Sequence, residues 1–577
     1  MSEAGSCGKG KSEGMNMRKT ALTARMLLLA LCLLVCAAGC AAETDGAAGA
    51  QTPGQTESAE PTERGEAVED GLLRIAMPDA ARTMDVHKSS ELYIIPLNIF
   101  ERLFEVRVNE DGSTQLQNAL AEDWSLSGDG LTYRFTLRPD AFFSDGTPVK
   151  ASDVAFTFTR MLALPESEQT DFANMIRGAD AVLSGETDTL AGVRVLDDRH
   201  LEITLCEPYA GYLSMLATPS CSILSEKNVT EAGDAFGTSA EQTIGSGPYM
   251  VTSFTDSLIT LERNPYYRCL DGEELSVGKV EFRILDPALI DQSFRAGELD
   301  ILDTDFLSPD VVESVYRSGA WKDRLVSRVS VEIHYLMLNV AESPLNDVRI
   351  RRAVQMAIDR QKILDELYGG AGELLDGIFP RGLIGFCEEN QGWLQYDPEA
   401  AAKLVGEVEG ARDAVLELAA SSDTNIRNLT MLEMIRQDLS AIGLRAAVVS
   451  YDDDTRMELR RNGELLAYNN AWSADYNDPD NFIYTFFGSR EKTRGRSGNF
   501  SDEAVMDRVT RARTIQDETE RLAEYAELER LLVRDEAVWV PLFSTEHLFV
   551  RGERVERFSP FWAGWNSFYF KDVVLKR

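Results

Sequence analysis

LAEDWSLSGDGLTYRFTLRPDAFFSDGTPVKASDV, residues 120–154, holds the densest run of structural signals in the chain. Tyr133-Arg134-Phe135-Thr136-Leu137-Arg138 alternates apolar and polar residues, the period of a half-buried strand. Asp145-Gly146-Thr147-Pro148 supplies a turn, because Gly and Pro fix or free the backbone there. Ala151-Ser152-Asp153-Val154 then opens a helix, with Ser152 or Asp153 near its N-cap. Strand, turn and helix thus follow in close order. Trp124, Asp145 and Asp153 read as packing and capping residues, not as ligand contacts.

Before this run the chain changes character twice. Lys9, Lys11, Arg18, Lys19 and Arg25 form a basic leader, and residues 26–38 are an apolar stretch too short to span a membrane. The stretch ends Ala37-Ala38-Gly39-Cys40. Small residues before a Cys resemble a bacterial lipobox, with Cys40 as the lipidated first residue of the mature chain. The pattern prefers Leu where this chain has Ala37, and an ordinary secretory signal is the rival reading. Removal of residues 1–39 takes away five basic and two acidic residues and moves the net charge from −37 to −40. Residues 41–70 are Ala, Gly, Thr, Glu and Pro with almost no bulky apolar side chain, so they read as a disordered spacer.

The remaining chain is long and ordinary in composition. The full sequence of 577 residues exceeds what one core supports, so at least two domains are expected. The hydrophobic share of 44% is that of a globular protein. The strong negative charge repels phosphates and argues against nucleic acid as a partner. Cys206, Cys221, Cys269 and Cys387 form no CxxC pair, so zinc and redox motifs are absent; one or two disulfides and free thiols both remain open. His87, His200, His334 and His547 are far apart and give little support to a metal site.

Several further stretches have a bland and a sharper reading. Residues 94–106 space apolar residues as a helix does. Gly245-Ser246-Gly247 suggests a phosphate loop, but Pro248 removes a donor and no Lys-Ser/Thr follows. Glu298 and Asp300 suggest a glycosidase pair, but a turn feeding a strand explains them better. Residues 347–363 read as one helix with Ile350, Ala353, Val354, Ala357 and Ile358 on a common face. Residues 415–420, 431–442 and 445–450 read strand, helix, strand, hence a parallel pair in an α/β unit.

The run 120–154 resembles the opening motif of the family 5 extracellular solute-binding proteins, the oligopeptide- and dipeptide-binding components of ABC importers. Ile244-Gly245-Ser246-Gly247-Pro248-Tyr249, Leu261-Glu262-Arg263-Asn264-Pro265-Tyr266-Tyr267, Ala296-Gly297-Glu298-Leu299-Asp300-Ile301 and the helical pattern at 347–363 resemble further segments of that family in the same order. The resemblance covers roughly residues 72–570. It implies an α/β, two-lobed periplasmic-binding-protein-like fold with a ligand cleft between the lobes and an extra subdomain on the first. The expected organisation is a signal peptide at 1–39, lipidated Cys and linker at 40–70, lobe 1 with its subdomain at 71–332, lobe 2 at 333–540, and a return to lobe 1 at 541–577.

The site is expected at residues 471–482, AWSADYNDPDNF. An aromatic and a carboxylate sit there in a Pro-broken turn between apolar segments, a setting that projects side chains into a cleft. The stretch resembles the W-C-A-D-Y-N-E-P segment of the peptide-binding members, in which the Asp receives a peptide's α-ammonium. The resemblance assigns that role to Asp475, with Trp472 beside it and the backbone at Trp472-Ser473 pairing with an extended peptide. Glu91, by looser resemblance, faces the same ligand. Asp478 and Asp480 read as turn residues beside Pro479. Asn469-Asn470-Ala471 lacks an Arg that some long-peptide binders carry, which leaves the anchoring of a peptide's C-terminus open. Asp475-x-Asn477-x-Pro479 lacks ligands that an EF-hand needs.

The expected protein is therefore not an enzyme. It is a monomeric capture lipoprotein on the extracytoplasmic face of the membrane, with peptide as ligand, permease subunits as partners, and no metal or cofactor. Competing readings are the same fold carrying a nickel chelate, haem, sugar or signalling peptide, a chaperone-like or sensory surface protein, and a secreted hydrolase, for which no catalytic constellation stands out.

Overall fold

The computed structural model describes residues 71–89, 93–109, 113–268, 275–422, 426–564 and 567–576. The expectations placed on the leader, Cys40, the spacer, Glu91 and Cys269 lie outside those residues.

One strand organises the described chain. Trp539–Arg551 runs through the middle of a 12-stranded mixed sheet. Its first part pairs antiparallel with Glu332–Leu338, and its last part with Leu325–Val329 and Ile301–Asp303. The same strand feeds two cores. Val540, Leu542 and Phe543 pack with the helices at 348–368 and 426–441, whereas Phe549 packs with Leu73, Ile75 and Phe282. Each such fully buried side chain contributes roughly 1.5–3 kcal/mol relative to exposure. Pro541 lacks an N–H, and the register shifts between His334 and Tyr335 beside it, where a central strand accommodates a missing donor.

On one side of this strand the sheet continues through Leu72–Met77, Lys279–Ile284, Leu258–Arg263 and Tyr249–Phe254. On the other it continues through Ala467–Ser473, Val415–Ser421 and Arg445–Tyr451. The last two are parallel and joined by the helix Ile426–Ala441, as the strand–helix–strand pattern predicts. A separate four-stranded sheet holds Ala121–Leu126 and Thr132–Leu137. In the second of these strands Tyr133, Phe135 and Leu137 are buried and Arg134 is exposed, the predicted alternation. The helix Ala151–Ala163 follows, and Asp153 caps it from the first turn by accepting the Lys150 amide at 2.9 Å.

Three local expectations are corrected. The helical spacing at 94–106 resolves into a single turn, Pro96–Ile99, and a strand, Phe104–Val108, because FEVRV pairs in a hairpin with Thr114–Asn118. The helix read over 347–363 is two, Val348–Ala357 and Arg360–Tyr368. Ile358 is extended, and Asp359 caps the second helix by accepting the Lys362 amide. Trp472 and Ser473 lie within the strand Ala467–Ser473, not in the turn that follows.

The Gly-Ser-Gly segment is a close backbone approach. A Cβ on Gly245 would lie 2.0 Å from the Ile99 carbonyl oxygen, and the Gly247 amide donates to that oxygen at 2.9 Å. Asp300 is buried and takes a two-pronged bond from Arg74, at 3.0 and 2.9 Å, so it is committed to the fold. Cys206, Cys221 and Cys387 are free thiols. Among the described residues no helix is long and apolar enough to cross a membrane.

Candidate functional site

A cavity of about 1230 Å³ opens beside the crossing strand. Tyr93, Asp171 and Ser220 line it, together with Asn481, Tyr484, Lys492 and Arg496 from the later part of the chain. Trp472, Ser473 and Asp475 all line it. Trp124, Asp145 and Asp153 do not, in keeping with their scaffold reading.

Asp475 follows the strand Ala467–Ser473 and precedes the helix Asp480–Phe487. Its position is set by Asn481 on the first turn of that helix. The Asn481 amide nitrogen donates to Asp475 Oδ2 at 2.9 Å. Asn481 Oδ1 accepts the Asp475 backbone amide at 3.0 Å and Trp472 Nε1 at 3.3 Å. One neutral side chain thus fixes both the carboxylate and the indole. Asp475 forms no ion pair among the described residues. Burial raises its carboxyl pKa above the ordinary value, and the Asn481 hydrogen bond only partly opposes this. A carboxylate held this way is short of a cation.

Its neighbours are different. Asp478 is buried against Arg521 at 2.8 Å, and Asp480 against Arg513 at 3.1 Å. Tyr525 also donates to Asp480 at 3.1 Å. These two carboxylates therefore do more than end a turn: they hold the helices at 480–487 and 518–530 together.

Ser473 has its hydroxyl engaged, donating to Glu332 at 3.2 Å. Glu332 lies on the paired strand and also accepts from Thr545 and, at 3.3 Å, from His334. Burial alone would raise the Glu332 carboxyl, but these partners bring it down to about 2. What Ser473 offers a ligand is backbone. Val415–Ser421 pairs with Ala467–Ser473 only at Ala467, so among the described residues the edge from 468 to 473 has no strand on that side.

Trp472 packs edge-on against Phe486, 5.2 Å between ring centroids, with the Arg496 guanidinium 5.8 Å from its own ring. Tyr93, two residues from Glu91, lines the cavity, and burial together with the Asp475 charge helps raise its hydroxyl to about 12. Asn481, Tyr93, Lys492 and Arg496 are site residues that the sequence reading did not name. Asn481 carried one usable signal, an amide on the first turn of an otherwise apolar helix.

Asp303, Asp305 and His547 bring one ligand atom each within 4.8 Å of one another at the cavity edge. Each imidazole nitrogen faces a different carboxylate, at 3.5 and 3.3 Å. Burial alone would lower the imidazole, but the two carboxylates raise it to about 10. That is the arrangement of an imidazolium clamped between anions.

The family model for bacterial extracellular solute-binding proteins, family 5 (middle), matches residues 115–494. A di/tripeptide-binding protein 1 from Pseudomonas aeruginosa is 28% identical over 82% of this chain and 88% of its own length. A probable D,D-dipeptide-binding periplasmic protein, DdpA, from Escherichia coli is 25% identical over 80% of this chain and 85% of its own length. Among solved structures, the unliganded open form of the periplasmic murein tripeptide binding protein MppA superposes with a TM-score of 0.76 at 21% identity, covering 88% of this chain and 98% of that one. The fold is therefore the α/β, two-lobed architecture of periplasmic binding proteins.

Proposed function

The chain belongs to the bacterial extracellular solute-binding proteins of family 5, and from that membership we propose that it captures peptides outside the cytoplasm and passes them to an ABC importer. The observation that carries the choice of ligand is Asp475: a part-buried carboxylate, fixed by Asn481 and without an ion pair, lining a large cavity. An ammonium group supplies the missing charge, and charge-assisted hydrogen bonds of this kind are the strong ones.

The free edge at residues 468–473 supports the rest of the reading. An extended peptide adds to such an edge through main-chain bonds, which is how one site accepts many side chains. Trp472 offers an apolar wall beside it. Of the four histidines, His547 lines the cavity, and both its nitrogens face carboxylates, so a metal- or haem-centred reading draws less support from the lining. The crossing strand Trp539–Arg551 is the element about which the halves would close on a ligand. The leader at 1–39 is removed in this reading, and the lipidated Cys40 tethers the protein to the membrane.

Calorimetric titration with a mixture of di- to octapeptides tests the reading on the wild type and on Asp475→Asn. Losing one partner of a buried charged pair costs about 2–5 kcal/mol, roughly 30-fold or more in affinity. Equal affinity in the two proteins would remove Asp475 as the amine anchor.

A further inference from the structure

The charges that line the cavity fall into three groups. Asp305, Glu332, Asp480, Arg513, Glu546 and His547 are ion-paired within the protein. Asp79, Arg82, Glu168 and Asp171 are exposed to solvent. Asp475, Lys492 and Arg496 are neither paired nor fully exposed.

Lys492 and Arg496 lie four residues apart on the helix Arg490–Arg496 and so share its face. Both point their charge over aromatic walls of the cavity. The Lys492 ammonium is 4.7 Å from the Tyr484 ring centroid, and the Arg496 guanidinium is 5.8 Å from that of Trp472. Like charges at this spacing destabilise a helix. Among the described residues neither side chain has a hydrogen-bond acceptor or an ion-pair partner. Burial lowers the Lys492 ammonium pKa and Arg496 lowers it further, and Asp171 and Asp480 only partly oppose this. The cavity thus contains one negative and one positive pole, neither closed by an ion pair among the described residues.

We propose that Lys492 and Arg496 form an anion subsite, so that the ligand brings a carboxylate to this helix while its amine meets Asp475. This inference rests on the peptide reading and adds to it. Two sources supply the same chemistry: the terminal carboxylate of a short peptide, or an acidic side chain of a peptide that runs on. It also answers the missing Arg before Trp472, since the compensating cations come from a helix that follows the turn.

The test uses degenerate tripeptides prepared as free acids, as C-terminal amides and as N-acetylated free acids, incubated with the full chain in equilibrium dialysis and read by mass spectrometry. Amidation is expected to weaken binding of members without Asp or Glu by about tenfold or more. A Lys492→Gln/Arg496→Gln protein should bind acid and amide within about twofold of each other, and Lys492→Glu should favour the amides. Amides enriched in Asp or Glu would assign the subsite to a side chain; no enrichment would assign it to the terminus. Indifference to amidation, with acetylation still abolishing binding, would overturn the subsite and leave the amine anchor standing. Discrimination that survives in the double variant would place the anion elsewhere and also overturn it. Loss on amidation with no effect of acetylation would overturn the amine anchor alone. Retention of no tripeptide at all would overturn both.

Discussion

Asn481 grips Asp475 from two directions, donating to its carboxylate at 2.9 Å and accepting its backbone amide at 3.0 Å. The grip leaves the charge of Asp475 unneutralised while removing its freedom to turn away. The neutral clamp sets Asp475, the proposed ligand group, apart from Asp478 and Asp480, three and five residues on, which are each closed by an Arg.

Replacing Asn481 with Ala should therefore harm binding more than a surface change would. It strips the Asp475 amide and Trp472 Nε1 of their acceptor, and each buried group left unpaired costs about 1–3 kcal/mol. The expected result is a lowered thermal midpoint together with weaker peptide affinity. Unchanged affinity would show that Asp475 holds its place without the clamp.

Arg521→Met should act on stability alone. It leaves Asp478, fully buried, without its cation, and breaking such a pair costs about 3–5 kcal/mol. Urea unfolding of the variant should show it directly. Arg134→Ala is the contrast: Arg134 pairs with Glu202 at 2.7 Å, but its side chain is 69% exposed, so the loss should stay below about 1 kcal/mol.

How far the sequence alone reached follows from where its signals are local. The strand at 132–137 was legible because alternation is read residue by residue, and the parallel pair around 426–441 because period and length agree. The helix expected over 94–106 failed because Ile95, Ile99 and Leu103 keep helical spacing, while the hairpin partner that decides the matter, Thr114–Asn118, lies further on. The break at Asp359 depends partly on Asp438, whose carboxylate takes the Asp359 amide at 3.1 Å from a helix far along the chain. At the site, Trp472 and Asp475 stood out by residue type. Lys492 and Arg496 did not, because a basic helix looks like a solvated one until the fold turns its face into a cavity.

Glu529 should make stability depend on pH near neutrality. It is buried, and burial raises its carboxyl to about 7, against hydrogen bonds from the Phe379 and Ile378 amides and Asn390. A folded-state pKa above the unfolded value of 4.5 means the stabilisation is complete below 4.5 and is lost as pH rises through about 7. Glu529→Gln should remove that slope from the thermal midpoint measured between pH 4.5 and 7.5. A wild-type midpoint that rises across this interval for reasons traced to Glu529 would contradict the assignment.

Peptide binding should have its own acid limb. Burial raises the Asp475 carboxyl above 3.8, Asp171 adds to this, and Asn481 and Arg496 oppose it. Protonation removes the charge that meets the amine, so affinity should fall on acidification at a pH above 3.8. In Asp475→Asn that limb should flatten.

Whether Asp475 receives a ligand's ammonium is decided by a double-difference measurement. Matched free-amine and N-acetyl peptides are titrated calorimetrically into the wild type and into Asp475→Asn. Acetylation is expected to cost about 30-fold or more in the wild type and almost nothing in the variant. An acetylation penalty of the same size in both proteins would contradict it.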